Sequence, residues 1–445
     1  MSTDAPPSQT ADSIAIEPDP GAWRGLLRQD PPALARAFRE SLGLPSDRPV
    51  VATGHQPILF HPGVLAKYLA AEAAGEALDC AVVHVVADQD TPDVTTLRRP
   101  VRTDTGTLEV KHPRLTEAPA FTALAVASQG PIQAQTLEPP FDRVSEAFAR
   151  HAGETTLASQ AFRATEDLLS DLIEPAPVLF ASRLQSTELF RTLVDAMRAD
   201  PARCCAAYNE AAASVPEAGL RGLNSRGDTH ELPVWHIAPG QPRMPVYASK
   251  LDDLPPHELA PRALLFDLIN RLAAADLFIH GTGGGAYAKA TEQWFKAWNP
   301  LHEDVTLCPV VTVTATRTLD LGVPLVTPED AARAVWRAHH ARHTPGLLGD
   351  DEAQRRKDDL VARIDASDDP AERAGLFRDL TALLSETRTR HADTLSKLES
   401  EAESSLLRAQ EHHITSDRTW PWVLYPDETI RELHSTIRNA FAPGG

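Results

Sequence analysis

Apolar residues along the chain follow two patterns, one typical of buried strands and one of helices. The runs RPVVATG (48–54) and LDCAVVHVVADQD (78–90) are short, nearly continuous and rich in β-branched residues. Between them, HPGVLAKYLAAEAAGEA has a helical composition, with Pro62 in its first turn. Strand, helix and strand within about forty residues predict the βαβ unit of a parallel sheet, whose inner strands are apolar on both faces.

The same alternation returns near residue 260. PRALLFDLINRLAAA predicts a helix, DLFIHG a strand, TGGG a loop, AYAKATEQWFKAW a second helix and LCPVVTVTATRTL another strand. The segment between the two α/β regions predicts a β-hairpin over 95–113 with its turn at 103–106, helices over about 139–152, 156–174, 187–199 and 201–213, and two strands within 230–248. The pattern predicts an α/β fold, with a parallel sheet core and a helical insertion.

The two ends of the chain differ from this core. Residues 1–20 are acidic and Pro-rich and are predicted to be disordered, and a short helix follows at about 31–43. Residues 328–413 are almost wholly helical in pattern, with a break at 367–370. We therefore expect an N-terminal tail and helix (1–45), an α/β core (46–325), a helical arm (326–413) and a C-terminal tail that packs on the core (414–445).

Leucines recur within 371–413, mostly three or four residues apart, at positions 376, 380, 383, 395, 398 and 406. This spacing predicts an antiparallel helical hairpin or a coiled coil, although the heptad is interrupted between Thr387 and His391. A coiled coil would make the arm a dimerisation surface. A helical pair that packs only on its own core fits the pattern equally well.

The amino-acid composition and net charge limit the class of molecule that the chain is expected to bind. Of 445 residues, 42% are hydrophobic and 24% charged, and 62 acidic against 43 basic residues give a net charge of −19. Such a chain repels nucleic acid and anionic membranes, so a small molecule is the expected partner. The four cysteines form no CxxC pair, and the N-terminus resembles no signal peptide, which together predict a cytoplasmic protein with reduced thiols.

The first candidate site follows the first predicted strand. Thr53, Gly54, His55 and Gln56 come where this strand ends, and His61 precedes the helix. Ligands of open α/β sheets bind outside the carboxyl ends of the strands, and a helix N-terminus favours anions. His55 is predicted to stabilise negative charge or to shuttle a proton near neutral pH. Alternatively, Thr53 and Gln56 only cap the turn.

The second candidate site is Asp88-Gln89-Asp90, which follows the next strand and is expected at the same sheet edge. With His55, Asp88 and Asp90 are the candidate catalytic residues. The two aspartates could bind sugar hydroxyls, an amine or a divalent cation, or could serve as an N-cap and turn former. No metal ligand is predicted. The histidine-rich helical stretch at 339–343 has no nearby carboxylates and is expected to be a solvated face.

The third candidate site is HGTGGGAY, again between a strand and a helix. It is expected to place an anionic group against backbone that lacks side chains, although a tight packing turn is the alternative. The spacing is neither a Walker A motif nor a GxGxxG fingerprint. Arg262, at a helix start, could add a cation or form only a surface ion pair. The candidate residues here are His280, Gly281, Gly283, Gly284, Gly285, Tyr287 and Arg262.

Taken in order, TGHQPILFHPGVLAKY, VVADQDTPDV, PRALLFDLINRLAAADLFIHGTGGGAYAKA, the C-terminal helices and a closing LYP resemble the bacillithiol biosynthesis cysteine-adding enzyme family (BshC). The resemblance covers 50–95 and 260–315 well, and 100–250 poorly. It implies a Rossmann-like core, a dimerising coiled coil and condensation of cysteine with a glucosaminyl-malate amine, with ATP or ADP involved. Whether Mg²⁺ takes part is left open.

The chain departs from the family pattern in its acid/base residues. Ala87 stands where the family has Glu, Gln89 where it has His, Gly284 where an acidic residue is usual, and His55 where Gln is usual. Each general acid or base can contribute roughly 10²–10⁴-fold to a rate. Because the motifs resemble the family but these acid/base residues differ, the leading hypothesis is a divergent BshC-like ligase. The alternatives are a non-catalytic binding or scaffolding protein with the same pocket, and a nucleotidyltransferase, for which the six-residue separation of His55 and His61 is unfavourable.

Overall fold

A computed structural model describes residues 12–117, 123–301 and 305–442. Within these ranges, the strands are β1 (Ser13–Glu17), β2 (Val50–His55), β3 (Ala81–Val86), β4 (Arg99–Arg102), β5 (Leu108–Lys111), β6 (Val178–Phe180), β7 (Ser225–Arg226), β8 (Thr229–His236), β9 (Met244–Tyr247), β10 (Leu259–Pro261), β11 (Leu277–His280) and β12 (Val310–Thr316).

The helices of the same ranges are α1 (Trp23–Leu26), α2 (Ala33–Leu42), α3 (Pro62–Leu78), α4 (Asp142–Arg150), α5 (Leu157–Leu169), α6 (Glu188–Ala199), α7 (Pro201–Ser214), α8 (Ala263–Ile269), α9 (Gly284–Trp298), α10 (Pro328–Ala341), α11 (Asp351–Ala366), α12 (Pro370–Arg390), α13 (Ala392–Gln410), α14 (His412–Thr415) and α15 (Asp427–Ala440). None of these helices combines the length and apolar character needed to cross a bilayer.

The main sheet has six strands in the order β1, β12, β11, β2, β3, β6. All neighbouring pairs are parallel except β1 with β12. The chain passes from β2 through α3 to β3 and on to β6 at one side, and later adds β11 and β12 at the other side. The strand order therefore reverses between β2 and β11, which is where open α/β sheets bind their ligands. The predicted α/β class with a mainly parallel sheet is confirmed.

The prediction of disorder over 1–20 is wrong where the structure describes the chain. Residues Ser13–Glu17 pair antiparallel with β12, from Ser13 opposite Thr316 to Glu17 opposite Thr312. The sequence SIAIE alternates apolar and polar residues, which suits an edge strand, and it extends the sheet beyond β12. Residues 1–11 of that prediction lie outside the described residues.

Most local predictions between 31 and 316 are confirmed. The short helix ends at Gly43, whose left-handed conformation (φ 68°) caps α2, and the predicted hairpin is β4–β5. The insertion contains α4 to α7, and β8 and β9 pair antiparallel. Two details differ: α8 continues into a π-helical turn at Asn270–Ala274, and α9 begins at Gly284, inside the predicted TGGG loop.

The large core lies against one face of β2 and β3, to which Val50, Ala52, Val83 and Val85 contribute. It includes apolar side chains of α2 and of helices α6 to α9, together with the four cysteines except Cys80. All four cysteines are buried and none forms a disulfide. The C-terminal helix α15 packs against α3, and the Tyr425 hydroxyl donates to the Arg317 carbonyl (3.0 Å). These elements belong to one compact unit, which comprises 1–99, 111–319 and 418–445.

The second compact unit comprises 100–110 and 320–417, so the hairpin turn after β4 belongs with the helical arm. Within it, α10 packs against α13 and α11 against α12. Helices α12 and α13 continue into each other at His391, whose N–H donates to Thr387 O and whose carbonyl accepts from Leu395 N (both 3.0 Å). The leucine-rich segment 371–413 is therefore not a hairpin by itself: it is one side of a hairpin whose other side is α10–α11.

Candidate active site at the carboxyl ends of the strands

A cleft with about 830 Å³ of open space lies where the strand order reverses, at the carboxyl ends of β2, β3 and β11. It brings together residues from all three candidate segments and from the start of α8. The predicted residues that line it are Gly54, His55, Gln56, His61, Asp90, Arg262, His280, Gly281, Gly283, Gly284 and Tyr287. Segments more than two hundred residues apart in the chain thus enclose one cavity.

Three predicted site residues do not line this cleft. Thr53 is fully buried, and its hydroxyl donates to Ile279 O (3.0 Å), which ties β2 to β11. Asp88 is 2% exposed and accepts hydrogen bonds from Ser182 N (2.8 Å) and Ser182 Oγ (2.5 Å). Gly285 lies in the first turn of α9.

The catalytic role predicted for Asp88 therefore has no support in the geometry. Burial raises the pKa of the Asp88 carboxyl to about 6, although the hydrogen bonds from Ser182 oppose this shift. Both of its oxygens are occupied by Ser182, so the carboxylate fixes the segment that follows β6. Two residues apart in a strand, Asp88 and Asp90 would share one face, but both lie in the turn beyond the end of β3, where this alternation no longer applies.

Asp90 does reach the cleft, where two side chains hold it. Gln56 Nε2 donates to Oδ2 and Arg243 Nη1 donates to Oδ1, both at 2.8 Å. The Asp90 side chain remains one-third exposed. This arrangement links the turn after β2, the segment after β3 and the β8–β9 connection, and it keeps a negative charge at the cleft wall.

His55 also lines the cleft, but it is a neutral imidazole at physiological pH. Burial, together with the charge of Lys67, lowers the pKa of His55 to about 3. A pKa this low does not favour the predicted proton shuttle near neutral pH, because such a ring takes up a proton only in acid. A neutral imidazole still offers one donor and one acceptor, and Nδ1 lies 3.3 Å from Gln56 O.

The other two histidines have structural partners. His61 Nδ1 accepts from Gly63 N (3.1 Å) and so caps the start of α3. His280 Nε2 lies 3.0 Å from Asp267 Oδ1. Burial by itself would raise the pKa of Asp267, but its hydrogen bond to His280 and the charges of His280 and Arg271 hold that pKa below its usual value. Position 284 requires glycine, since a Cβ there would lie 2.3 Å from the His280 ring.

Lys67 is the residue of this site that the sequence analysis missed. Its Nζ donates to Gly54 O (2.7 Å), and a Cβ on Gly281 would lie 3.7 Å from its Cδ, so the side chain runs between the two glycine turns. Among the described residues, no carboxylate forms an ion pair with it. Burial lowers the pKa of Lys67 to about 8. A single lysine within the apolar helix VLAKYLAA was the available signal.

Two further residues that the sequence analysis missed, Trp235 and Arg243, form an aromatic and cationic wall with the predicted Arg262. The guanidinium carbons of Arg243 and Arg262 lie 4.3 and 4.5 Å from the centroid of the Trp235 ring. Arg262 Nη1 also contacts Glu231 Oε1 at 2.5 Å. Trp235 lies on β8 and Arg243 just before β9, and no sequence pattern pointed from these strands to the cleft.

The chemistry of the cleft follows from these two sets of groups. Lys67 and the glycine turn at the start of α9 favour an anionic group, because a buried cation and a helix N-terminus both stabilise negative charge. The guanidinium groups of Arg243 and Arg262, which lie over the Trp235 ring, add further positive charge to the lining of the cleft. No group of three or more His, Cys, Asp or Glu side chains in the described ranges could hold a metal ion.

Comparison with known proteins does not identify a family for this chain. No protein-family model matches the chain, and no curated protein shows a significant match to it.

Proposed function

We propose that this protein is a BshC-like enzyme that joins the amine of an amino-sugar-type substrate to the carboxyl group of cysteine or another amino acid, with nucleotide assistance. The observation that carries the proposal is the environment of the Lys67 ammonium group. Among the residues that the structure describes, this buried ammonium has one hydrogen-bond partner, the carbonyl of Gly54, and it lies at the edge of an 830 Å³ cleft. Buried charges are normally paired, so the unpaired cation indicates an anionic ligand.

A nucleotide fits the Lys67 side of the cleft. Lys67 and the backbone of residues 281–284 would hold its phosphates, since this turn opens α9 and carries no bulky side chain. When bound, ATP would supply the activation of a carboxylate that amide formation requires. The strand order also supports this: read as β6, β3, β2, β11, β12 it matches the 3-2-1-4-5 order of Rossmann-like folds.

The amine-bearing substrate fits the opposite wall. Arg243 and Arg262, whose guanidinium groups lie over the Trp235 ring, would orient a carboxylate such as that of a malyl group. Asp90, held by Gln56 and Arg243, would bind the amine and keep it oriented. Neutral His55 would donate or accept one hydrogen bond at the reacting centre. The cytoplasm as the location and a homodimer formed through the helical arm belong to the same proposal.

Isothermal titration of the full chain with ATP, ADP, L-cysteine and a glucosaminyl-malate tests this function. We expect ATP or ADP to bind, and Lys67→Met to weaken that binding roughly 10–100-fold, as expected when a charge-assisted contact is lost. Lys289→Met is the matched control, because Lys289 lies on α9 but is exposed and does not line the cleft. Absence of binding by all four compounds to the folded protein would reject the proposal.

A specific observation also favours a second function, non-catalytic small-molecule binding or scaffolding. The groups available for acid/base chemistry are already used within the protein: Asp88 binds Ser182, and both oxygens of Asp90 accept hydrogen bonds. Binding that depends on Lys67 and Asp90, without any turnover of the four compounds, would identify this function. A nucleotidyltransferase has less support, since His61 Nδ1 caps α3.

A further inference from the structure

Asp88 and Asp90 are both held within the protein, but one histidine at the cleft wall keeps a ring nitrogen available. His280 ends β11 and lines the cleft, and its Nε2 lies 3.0 Å from Asp267 Oδ1 of α8. Its other ring nitrogen, Nδ1, has no hydrogen-bond partner within the described ranges but retains accessible surface. The ring of Phe278, two residues earlier on β11, packs against the imidazole with centroids 4.7 Å apart. The carboxylate and the aromatic ring together fix the orientation of His280.

The pair of His280 and Asp267 differs from the other histidine–carboxylate pairs of this chain. Within the described ranges there are four such pairs: His151 with Asp167, His236 with Glu258, His280 with Asp267 and His391 with Asp350. Of these four histidines, only His280 lines the cleft. The Asp267 side chain is 7% exposed, the lowest value among the four carboxylates. This pair therefore combines a buried carboxylate with a histidine that can reach a ligand.

Asp267 determines where the proton of the neutral imidazole lies. Although burial opposes its ionisation, the hydrogen bond to His280 and the charge of Arg271 lower the pKa of Asp267, so it remains a carboxylate. Arg271 Nη1 lies 3.9 Å from Asp267 Oδ2. A carboxylate only accepts hydrogen bonds, so Nε2 of His280 must carry the hydrogen and Nδ1 keeps its lone pair. The pair thus presents a base, held in one tautomer, to the cleft.

The position of Nδ1 places this base beside the turn that would hold the phosphates. A Cβ added to Gly284 would lie 2.3 Å from His280 Nδ1, so this nitrogen lies against the start of α9. Glycine at position 284 therefore leaves Nδ1 uncovered. A carboxyl group activated at this turn would be adjacent to His280, and Asp90, which would hold the amine, lines the same cleft.

We propose that His280 is the general base of this cleft and that Asp267 is its positioning residue. This inference rests on the function proposed above. As the neutral amine attacks the carbonyl carbon of an acyl phosphate or acyl adenylate, the C–N bond forms and the bond from that carbon to the phosphate oxygen breaks, with its electron pair leaving on the oxygen. The proton that the amine loses goes to His280 Nδ1, and Asp267 stabilises the resulting imidazolium.

Turnover of the full chain with ATP, L-cysteine and a glucosaminyl-malate tests the role of the base. His280→Gln should lower kcat about 100-fold or more, with little change in KM or in ADP affinity, because the base acts in the reaction and not in binding. His151→Gln is the matched control: this histidine lies 2.9 Å from Asp167 but does not line the cleft, so kcat should be unchanged. A wild-type kcat in His280→Gln would overturn the inference and leave the proposed function standing.

The tautomer of His280 can be measured without any turnover. With labelled histidines in mildly alkaline buffer, nitrogen-15 NMR should show Nε2 protonated and Nδ1 unprotonated, the signal being assigned by its loss in His280→Gln. An amide can donate to Nε2, so Asp267→Asn should move the proton to Nδ1 and lower kcat about tenfold or more, whereas loss of a merely structural carboxylate would leave the tautomer unchanged. A wild-type ring protonated at Nδ1 would overturn the inference. A folded wild-type chain that forms no amide product would reject the proposed function and the catalytic role of His280 together.

Discussion

The two ends of the parallel sheet treat buried charge differently. At the amino ends, Asp276 is fully buried just before β11 and forms ion pairs with Arg28 Nε and Arg39 Nη2, both at 2.8 Å. It also accepts from Val50 N at 2.9 Å, the first residue of β2. At the carboxyl ends, Lys67 is almost equally buried, but its ammonium hydrogen-bonds only to the carbonyl of Gly54 within residues 12–117, 123–301 and 305–442.

The difference lies in the partners and not in the depth of burial. A buried ion pair need not stabilise the native state, but removal of one partner is costly because it leaves the other charge buried and unpaired. A buried charge without an opposite partner is a cost that the fold carries, and such groups are concentrated at functional sites. Burial alone therefore does not identify a site; the count of partners does.

The largest expected effect is at the amino ends. Asp276→Ala leaves Arg39 buried without its carboxylate and should lower the free energy of unfolding by about 3–5 kcal/mol. Asp30→Ala is the control, since this side chain is 92% exposed in its pair with Arg36 and should change stability by less than about 1 kcal/mol. Urea denaturation measures both. Equal losses in the two variants would refute the distinction drawn between the two ends.

Lys67→Met should have the opposite effect on stability. Burial shifts the Lys67 pKa from 10.5 to about 8, so removal of the charge should leave stability unchanged or raise it by up to about 3 kcal/mol at pH 7. The same variant should lose ADP affinity. Urea denaturation and ADP titration of one preparation measure both effects, and a large loss of stability with ADP affinity intact would show that Lys67 is structural.

Substitutions of Asp88 and Asp90 should have different effects, one mainly on stability and the other mainly on ligand binding. Asp90→Ala frees Arg243 and Gln56 in the cleft and should weaken binding of a glucosaminyl-malate by about tenfold, the effect of one lost charged contact. Asp88→Ala leaves Ser182 N–H without its acceptor and should cost about 1–3 kcal/mol of stability with unchanged affinity. Titration and urea denaturation of both variants are compared, and the reverse assignment would contradict the site as described.

The smallest effect concerns pH. Lys67 is charged below its pKa of about 8, so ADP affinity should fall several-fold as pH rises from 7 to 9, and this fall should be absent in Lys67→Met. Stability should change in the other direction: between pH 8 and 10.5 the unfolded chain binds the proton that the folded chain has released, so this group makes stability rise with pH. Affinity that does not change with pH in the wild-type protein would exclude Lys67 from the anion site.

The chain order and local periodicity sufficed for the central strands β2, β3, β11 and β12, for most of the helices and for the sheet edge at which the site lies, but not for β1, β6, β7 and β10. The runs VVATG and AVVHVV are apolar on both faces, and this predicts parallel central strands wherever they occur. Ligand binding at the carboxyl ends of such strands then places His55, Asp90 and Gly283 near one another without any knowledge of distances. The SIAIE strand was missed because its pairing partner, β12, lies some three hundred residues away.

Only the tertiary structure decided what each polar side chain does. Asp88 and Asp90 are the same residue type in one short segment, but Asp88 binds Ser182 whereas Asp90 lies at the cleft. The sequence predicts that His55 titrates near neutral pH, whereas burial in the folded protein lowers its pKa to about 3. In the sequence, Lys67 is simply one residue of a helix. In the structure, its ammonium donates to Gly54 O, its one hydrogen-bond partner among the described residues. Periodicity records which face of an element is buried, whereas charge state and partners depend on what the rest of the chain brings to that face.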